Sequence, residues 1–332
     1  MKKMINAPEN VVAEQLRGME LAHPGLLRYL PETNTLLRAD APVSGKVALV
    51  SGGGSGHEPA HGGYVGAGML DAACAGPVFT SPTPDQMLAA TKAVDGGAGV
   101  FYVVKNYTGD VLNFEMAGEL AEAEGMETDS VVVNDDVAVE DSTFTSGRRG
   151  IAGTVFVHKI AGAAAEAGSD LAGVKEIAGR VNANVRSMGM ALTSCIPPER
   201  GEPIFEIADD EMEIGMGIHG EPGIERKKIE PADRIVEELV AKVLGDDVDY
   251  SGAEVAVIVN GLGATPAMEL YLAYAHLAGV LEREGVRVYR NYVGEYMTSL
   301  EMAGFSISLL KLDDEMKRYL EAPCRVAAGW TF

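Results

Sequence analysis

The sequence has 332 residues, a length that favours two domains when about 150 residues are assigned to each. Hydrophobic residues make up 47% of the chain and charged residues 23%, and this composition excludes a disordered protein. The formal net charge of −22 disfavours nucleic acid and anionic membranes as partners, because both are bound by clustered Lys and Arg.

Neither a membrane helix nor a secretory leader can be read from the sequence. No apolar run approaches the roughly 20 residues that a membrane helix needs. The opening MKKMINAPENVV lacks the apolar centre of a signal peptide. The three cysteines, Cys74, Cys195 and Cys324, lie far apart, which favours a reducing compartment over disulfides or a zinc site. We therefore expect a cytoplasmic protein.

The predicted elements alternate between helices and strands. Val12, Leu16 and Met19 recur at helical spacing near the N-terminus. Thr83-Pro84 and Thr265-Pro266 each combine a capping residue with a first-turn proline, and so predict two helix starts. Four β-branched apolar runs predict strands buried on both faces, as in parallel sheets covered by helices: residues 47–50, 100–104, 131–133 and 255–259. This alternation predicts an α/β fold.

The second half of the chain has a different pattern. Alternating stretches within 204–218 and 286–310 predict antiparallel or edge strands in a second sheet. We place a domain boundary near residue 186, just before the proline-bearing loop at 195–203. The prediction is an N-terminal α/β domain at 1–185 and a C-terminal α/β domain at 186–332, each with a mostly parallel or mixed sheet flanked by helices.

Residues that can carry chemistry follow the predicted strands. In open α/β sheets, ligands bind beyond the carboxyl ends of the strands. The segments at these ends are 52–59, 105–110, 134–136 and 260–266. This rule brings His57, Lys105 and Asp110 towards one crevice.

The glycine-rich loop at 51–59 reads SGGGSGHEP. It is neither a Walker A loop, since no Gly-Lys-Ser/Thr closes it, nor a GxGxxG fingerprint, since His57 or Pro59 takes the third glycine position. ATP or NAD binding by this loop is therefore poorly supported. Glycines permit close backbone approach to ligand oxygens, so a small polyhydroxylated ligand suits the loop as well as a phosphate does. The plain alternative is a tight turn without a ligand.

The chain has six histidines, of which His61 and His219 need separate discussion. His61 follows His57 by four residues, but Pro59 lies between them and the HExxH pattern is absent, so we expect no metal site. His219 lies in the glycine-flanked segment GIHGEPG at 217–223, which is a good way to present an imidazole edge to a ligand. A neutral imidazole nitrogen attacks a ketone or aldehyde to give a hemiaminal, and an alcohol offers no such carbon. A second His and an Asp nearby would supply the proton donor and the base.

These motifs, in this order, resemble the K-subunit family of dihydroxyacetone (glycerone) kinases over the whole chain. The segments that carry the resemblance include SGGGSGHEP at 51–59, KNYTGD at 105–110, GIHGEPG at 217–223 and GLGATP at 261–266. The resemblance implies that His219 holds dihydroxyacetone as a covalent hemiaminal and that His57 is the acid/base histidine. It also implies that Gly54, Ser55, Gly56, His57, Lys105 and Asp110 bind the substrate. Asp110 would orient or deprotonate the hydroxyl that is phosphorylated.

The resemblance further implies that this chain carries substrate but no nucleotide. ADP or ATP, with Mg, would be held by a separate L-type subunit. In the phosphoenolpyruvate-linked form, which we favour, a phosphoryl-donor subunit recharges that L subunit. Family members pair as homodimers. Because the chain stops at Phe332, we expect no fused nucleotide domain and no complete kinase activity from this chain alone.

Three other functions are compatible with parts of the sequence. A non-catalytic co-regulator of the same fold could sense the ketone, but it could dispense with the acid/base groups His57 and Asp110. A kinase subunit for a four-carbon ketose stays open, because pocket size cannot be read from motifs. A nucleotide-cofactor oxidoreductase is disfavoured by the broken glycine fingerprint.

Overall fold

The structure is a computed structural model that describes residues 2–139 and 145–329. Phe332, the expected end of the second domain, lies outside these residues. The α-helices described are α1 (Val11–Ala22), α2 (Pro84–Val94), α3 (Thr108–Ala123), α4 (Thr154–Glu166), α5 (Leu171–Asn184), α6 (Ala232–Leu244), α7 (Ala267–Arg283) and α8 (Asp314–Glu321).

Two six-stranded sheets and one short pair make up the β-structure described. The strands of the first half are β1 (Leu27–Leu30), β2 (Thr35–Arg38), β3 (Ala48–Ser55), β4 (Gly66–Ala67), β5 (Ala72–Val78), β6 (Val100–Lys105) and β7 (Thr128–Val133). Those of the second half are β8 (Val185–Ala191), β9 (Glu211–Ile214), β10 (Glu225–Lys228), β11 (Glu254–Gly261), β12 (Arg287–Gly294), β13 (Gly304–Lys311) and β14 (Arg325–Val326). The short pair joins β14 to β4.

The first sheet has the order β1-β2-β5-β3-β6-β7. Its last four strands are parallel, and β1 and β2 add an antiparallel edge. Every residue of β3 and β6 is buried, in agreement with the continuous apolar runs of the sequence. The carboxyl ends of these two strands therefore lie side by side at one edge of the sheet.

The second sheet has the order β10-β9-β8-β13-β11-β12 and is mostly antiparallel. Its one parallel pair joins β11 to the edge strand β12. The alternating segment near 304–311 forms β13, an antiparallel strand in the middle of the sheet rather than at its edge. Both sheets lie in mixed α/β layers, which confirms the predicted fold class. The domain boundary near residue 186 stays a prediction.

The helix α4 occupies the core between the sheets. Each residue from Thr154 to Ala165 is buried, as expected for a helix that is apolar on all sides. One hydrophobic cluster contains α4 side chains together with Leu49 and Phe101 of the first sheet and Ile258 and Leu310 of the second. The two sheets thus share an apolar core.

Both predicted helix starts are confirmed, but only one of the two predicted capping residues caps its helix. Thr83 caps α2, with its side chain accepting from the Gln86 backbone in a full capping box. Thr265 does not cap α7, whose N-cap residue is Pro266. The hydroxyl of Thr265 instead donates to the Gly304 carbonyl at 2.6 Å and accepts from the Gly304 amide at 2.8 Å. The start of β13 competes for this side chain, and sequence spacing gives no sign of that.

In residues 2–139 and 145–329, no helix has the length and apolar character required to cross a membrane.

Candidate active site

A pocket of about 430 Å³ opens where the chain leaves β3, β5 and β6. Its lining comes from the glycine-rich loop, the residues after β5, the start of α3 and the GIHGEPG segment. The lining residues are Gly54, Phe79, Ser81, Tyr107, Thr108, Gly109, Asp110, His219 and Glu221. The pocket therefore combines strand ends of the first sheet with a loop that follows β9 in the second.

A chain of hydrogen bonds runs through two histidines at the pocket. The Nδ1 atom of His57 lies 2.8 Å from the carbonyl oxygen of Thr298, and its Nε2 atom lies 3.0 Å from Nε2 of His219. The Nδ1 atom of His219 lies 3.0 Å from a carboxylate oxygen of Glu221. His57 is fully buried. His219 lines the pocket, and 17% of its side-chain surface is exposed.

The outer partners fix where the protons are. A carbonyl oxygen and a carboxylate only accept, so Nδ1 donates in both histidines. The two Nε2 atoms then face each other, and a hydrogen bond at 3.0 Å places one proton between them. The Nε2 atom of either ring is therefore basic as soon as that proton moves to the other ring.

Burial and neighbouring charges lower the pKa of His57, whereas they act against each other on the pKa of Glu221. Burial, with Lys105 and His219 nearby, lowers the pKa of His57 well below its ordinary value. Burial acts to raise the pKa of Glu221, but His219 and Arg149 lower it to about 2. Glu221 is therefore a carboxylate at neutral pH, and His57 is held as a neutral proton acceptor.

The Arg149 guanidinium lies near the Glu221 carboxylate and helps to lower its pKa. It is fully buried, pairs with Asp136 at 2.7 Å and donates to the Gly215 carbonyl at 2.8 Å. A side chain on Gly217 would lie 2.1 Å from the Glu221 carboxylate and 2.6 Å from the guanidinium of Arg149. Glycine at 217 is thus required for the carboxylate to reach His219.

Asp110 lines the pocket, whereas Lys105 is fully buried close to Asp110 and is not among the lining residues. A methyl group built on Gly53 would lie 3.4 Å from Lys105 Nζ and 3.5 Å from Asp110 Oδ2, so both groups approach one point. Lys105 Nζ and Asp110 Oδ1 are buried and have no hydrogen-bond partner among the residues that the structure describes. Burial lowers the pKa of Lys105 and raises that of Asp110, and each of the two opposes the shift of the other. Buried polar atoms without partners indicate a site that a polar ligand completes.

The glycine-rich loop is held mainly by protein contacts. The Gly56 amide donates to the Glu58 carboxylate at 3.1 Å, and the Ser55 hydroxyl donates to the Gly76 carbonyl at 2.7 Å. Gly54 lines the pocket, whereas neither Ser55 nor Gly56 does so. Substrate binding by Gly54, Ser55 and Gly56 stays a prediction.

A segment of the second half of the chain fixes the loop that carries His57. The Thr298 amide donates to the His57 carbonyl at 3.1 Å, and the Leu300 amide donates to the Gly56 carbonyl at 2.8 Å. The Thr298 hydroxyl adds a bond of 2.9 Å to the Glu58 carbonyl. Together with the ring contact of His57, these bonds fix both the position and the tautomer of His57.

Other sequence candidates lie apart from the pocket lining. His61 is buried, and its Nδ1 atom lies 2.9 Å from Nε2 of His158 in α4. Asp135 accepts from the amides of Ile151 and Gly153 at 2.8 Å and so holds the start of α4. Within 2–139 and 145–329, no group of three or more His, Cys, Asp or Glu side chains is arranged to hold a metal ion.

Sequence analysis did not single out several residues of the site, among them Glu221, Phe79, Ser81 and Thr298. Glu221 lies inside the GIHGEPG segment, and an acid two residues after a candidate nucleophile was a readable signal. Phe79 and Thr298 had no such signal, because only the fold brings them to His57.

Comparison with known proteins decides the family. The chain matches the Dak1 domain over residues 17–328. It belongs to the Dak1 family. The chain is 53% identical to the PTS-dependent dihydroxyacetone kinase 1, dihydroxyacetone-binding subunit DhaK, of Listeria innocua serovar 6a, with 95% of both chains covered.

Solved structures of Dak1-like chains have the same fold. The dihydroxyacetone kinase of C. freundii in its native form superposes with a TM-score of 0.91 at 36% identity, covering 98% of this chain and 60% of that one. The dihydroxyacetone kinase operon co-activator Dha-DhaQ superposes with a TM-score of 0.89 at 38% identity, covering 95% of this chain and 97% of that one. Overall shape is therefore shared by a kinase and a co-activator, and the site has to distinguish them.

Proposed function

We propose that this chain is the dihydroxyacetone-binding subunit of a dihydroxyacetone kinase and holds the ketone as a hemiaminal on His219. The observation that carries the proposal is the arrangement around His219. Its Nδ1 is bound to Glu221, and its Nε2 lies 3.0 Å from the buried His57. Its ring lines a pocket together with Asp110, whose Oδ1 is unpartnered, and Lys105 Nζ is buried and unpartnered close to Asp110.

The first step is the activation of His219. The proton between the two Nε2 atoms moves to His57, which leaves a lone pair on Nε2 of His219. That lone pair forms a bond to the carbonyl carbon of the ketone while the π bond of the carbonyl breaks towards oxygen. His57 returns its proton to this oxygen and becomes neutral again. The adduct is a hemiaminal whose imidazole ring is cationic, and the Glu221 carboxylate balances this charge.

The second step is the phosphorylation of a hydroxyl of the bound ketone. Lys105 Nζ can donate to the hydroxyl oxygens, and the Asp110 carboxylate can accept the hydroxyl proton as the oxygen attacks phosphorus. The phosphoryl group would come from ATP with Mg on a separate L-type subunit. A phosphoryl-donor subunit linked to phosphoenolpyruvate would recharge that subunit. This chain is expected to act as a homodimer in the cytoplasm, where its free cysteines would stay reduced.

Intact-protein mass spectrometry under native conditions tests the covalent step. The chain with dihydroxyacetone should gain the full mass of the ketone, because hemiaminal formation loses no water. Glycerol should give no adduct. His219→Ala should give none either, whereas His276→Ala, a change at a partly exposed histidine of α7, should leave the adduct unchanged. An adduct that persists in His219→Ala would refute the role of His219.

A phosphoryl-transfer assay separates the kinase subunit from the co-regulator. The chain, ATP, Mg and an L-type subunit together should phosphorylate dihydroxyacetone but not glycerol, and the chain alone should phosphorylate neither. A chain that forms the adduct but supports no transfer with any L-type or phosphoenolpyruvate-linked partner would be a sensor. Faster transfer to a four-carbon ketose than to dihydroxyacetone would reassign the substrate.

A further inference from the structure

Phe79 lies against both histidines of the site. Its ring stacks on the ring of His57, with centroids 5.2 Å apart and planes inclined by 21°. It also meets the His219 ring edge-on, at 5.4 Å and 88°. Phe79 is thus the one aromatic ring among the described contacts that touches His57 and His219 together.

The backbone of Phe79 is in an uncommon conformation. Its φ angle is 57°, in the left-handed region that a bulky residue rarely adopts. Its amide is bound to the Ser55 carbonyl at 2.9 Å. Such a conformation persists only where the surroundings enforce it, and it is commonest at functional sites.

Two glycines of the SGGGSGHEP loop make room for Phe79. A side chain on Gly54 would lie 2.7 Å from the backbone of Phe79, and one on Gly56 would lie 2.8 Å from its ring. The loop therefore has to be glycine at 54 and 56 in order to admit this aromatic residue. This explains part of the glycine content that neither a nucleotide motif nor a tight turn accounts for.

The position of Phe79 determines what surrounds His57. One face of the His57 ring is covered by Phe79, its Nδ1 is taken by the Thr298 carbonyl, and its Nε2 meets His219. The charged or titratable groups that act on it are Lys105, His219 and, more weakly, His61. The main influences on the pKa of His57 from the described residues are burial, Lys105 and His219, so its neutral form depends on the exclusion of water and on nearby positive charge.

We propose that Phe79 is a positioning residue that excludes water from His57 and holds the two imidazole rings in the orientation for proton exchange between their Nε2 atoms. The rings of His57 and His219 are inclined by 83° with centroids 4.6 Å apart, and Phe79 is in contact with both. The catalytic consequence rests on the proposed function, but the effect on the protonation of His57 does not.

The test uses the titration of His57 in the chain alone, followed by NMR of its ring protons and assigned with His57→Asn. Phe79→Asn removes the ring and keeps a residue that tolerates positive φ. Phe79→Leu keeps an apolar side chain of similar size. Phe114→Leu, at a buried aromatic residue of α3 whose ring packs against Tyr102, is the matched control.

In the parent chain and in Phe114→Leu, the midpoint of His57 should lie well below the ordinary value of a histidine, because the ring is buried beside positive charge. In Phe79→Asn the midpoint should rise by about one pH unit or more, because water then reaches the ring. Phe79→Leu should give a smaller rise. A His57 midpoint that is the same in all four proteins would overturn the proposal, whether or not a ketone adduct forms.

Kinetics with an L-type partner give the second readout. Phe79→Asn should lower kcat about 10- to 100-fold through misorientation of the histidines, with a smaller change in the KM for the ketone. The acid limb of its kcat profile should move to higher pH, since a His57 with a higher pKa is protonated at higher pH. If Phe79→Asn has a lower melting temperature but the acid limb of its kcat profile stays where it is in the parent, Phe79 has only a structural role.

Discussion

The Nε2 atoms of His57 and His219 lie 3.0 Å apart, although 162 positions of sequence separate the two residues. In the proposed mechanism, a ketone bound to His219 would replace this hydrogen bond, because both use the same nitrogen. Binding of the ketone and release of His57 would then be one event, and each histidine can be tested separately.

His57→Asn should keep the ketone adduct but slow its formation and the phosphoryl transfer. An amide can accept the His219 proton in a hydrogen bond, yet it is not basic enough to carry that proton. We expect transfer to fall by about 10²- to 10⁴-fold, measured in single turnovers with a saturating L-type partner. An undiminished rate in this variant would remove His57 from the mechanism.

Glu221→Gln should weaken the adduct. The substitution replaces a charge-assisted acceptor of the His219 Nδ1 proton with a neutral one, and it removes an acceptor of the His219 amide, which is 3.0 Å away. We expect affinity for dihydroxyacetone to fall about 10- to 100-fold, measured by native mass spectrometry across ketone concentrations. Glu225→Gln, at an exposed position of β10, is the charge-matched control and should bind as the parent does.

The carboxylate of Glu221 also predicts a pH dependence. Its pKa in the folded chain is about 2 and its ordinary value is 4.5, so its contribution to stability is complete above about pH 4.5. That contribution is lost as the pH falls through about 2. Urea unfolding of the parent and of Glu221→Gln should therefore differ by a constant amount from pH 7 to 5. A difference that shrinks over this range would contradict the assigned ion pair.

Gly54→Ala should destabilise the fold and displace Phe79. Its new methyl group would lie 2.5 Å from the Thr80 amide nitrogen and 2.7 Å from Phe79, and backbone has to move to admit it. We expect a loss of about 1–3 kcal/mol in the free energy of unfolding. Gly18→Ala is the matched control, because this helical glycine of α1 has no atom within 4 Å of the added carbon. It should gain about 0.5–1 kcal/mol.

The buried pair of His61 and His158 predicts acid sensitivity of the whole fold. Burial, Lys105 and His158 lower the pKa of His61 well below its ordinary value, and burial and Lys105 lower that of His158 to about 3. Both bind protons more readily in the unfolded chain, so stability is complete above about pH 6.5 and falls below it. The maximum slope is about 2.7 kcal/mol per pH unit for two histidines. Urea unfolding from pH 7.5 to 5.5 should show this, and a His61→Gln/His158→Leu double variant should show a flatter profile.

The sequence predicted best the parts of the chain where local pattern and burial coincide. The apolar runs became β3, β6, β7 and β11. Two of the four segments named by the strand-end rule, 52–59 and 105–110, contribute residues to the pocket, whereas 134–136 and 260–266 do not. Thr83 was found because a capping residue and a first-turn proline stand next to each other in the sequence, and the structure adds a capping box with Gln86. The strands and the start of α2 depend on neighbours along the chain, and a single sequence contains them.

The rest of the site depends on contacts between distant residues. Thr265 has the same spacing to proline as Thr83, yet β13 takes its hydroxyl. The tautomer of His57 depends on a carbonyl at Thr298, which has no side-chain signature. Local pattern also could not show that Gly54 and Gly56 are small in order to accommodate Phe79. Such relations are set by the packing of one half of the chain on the other.

The contact between His57 and Thr298 has a consequence for biosynthesis. The ribosome makes the glycine-rich loop early, but the carbonyl and amides that orient it are 241 positions further along the chain. A nascent chain therefore carries an unoriented His57 until residues 298–300 have emerged and folded. His219 likewise meets an oriented His57 only then. The proposed reaction with carbonyl compounds would therefore require a chain whose translation has passed residue 300.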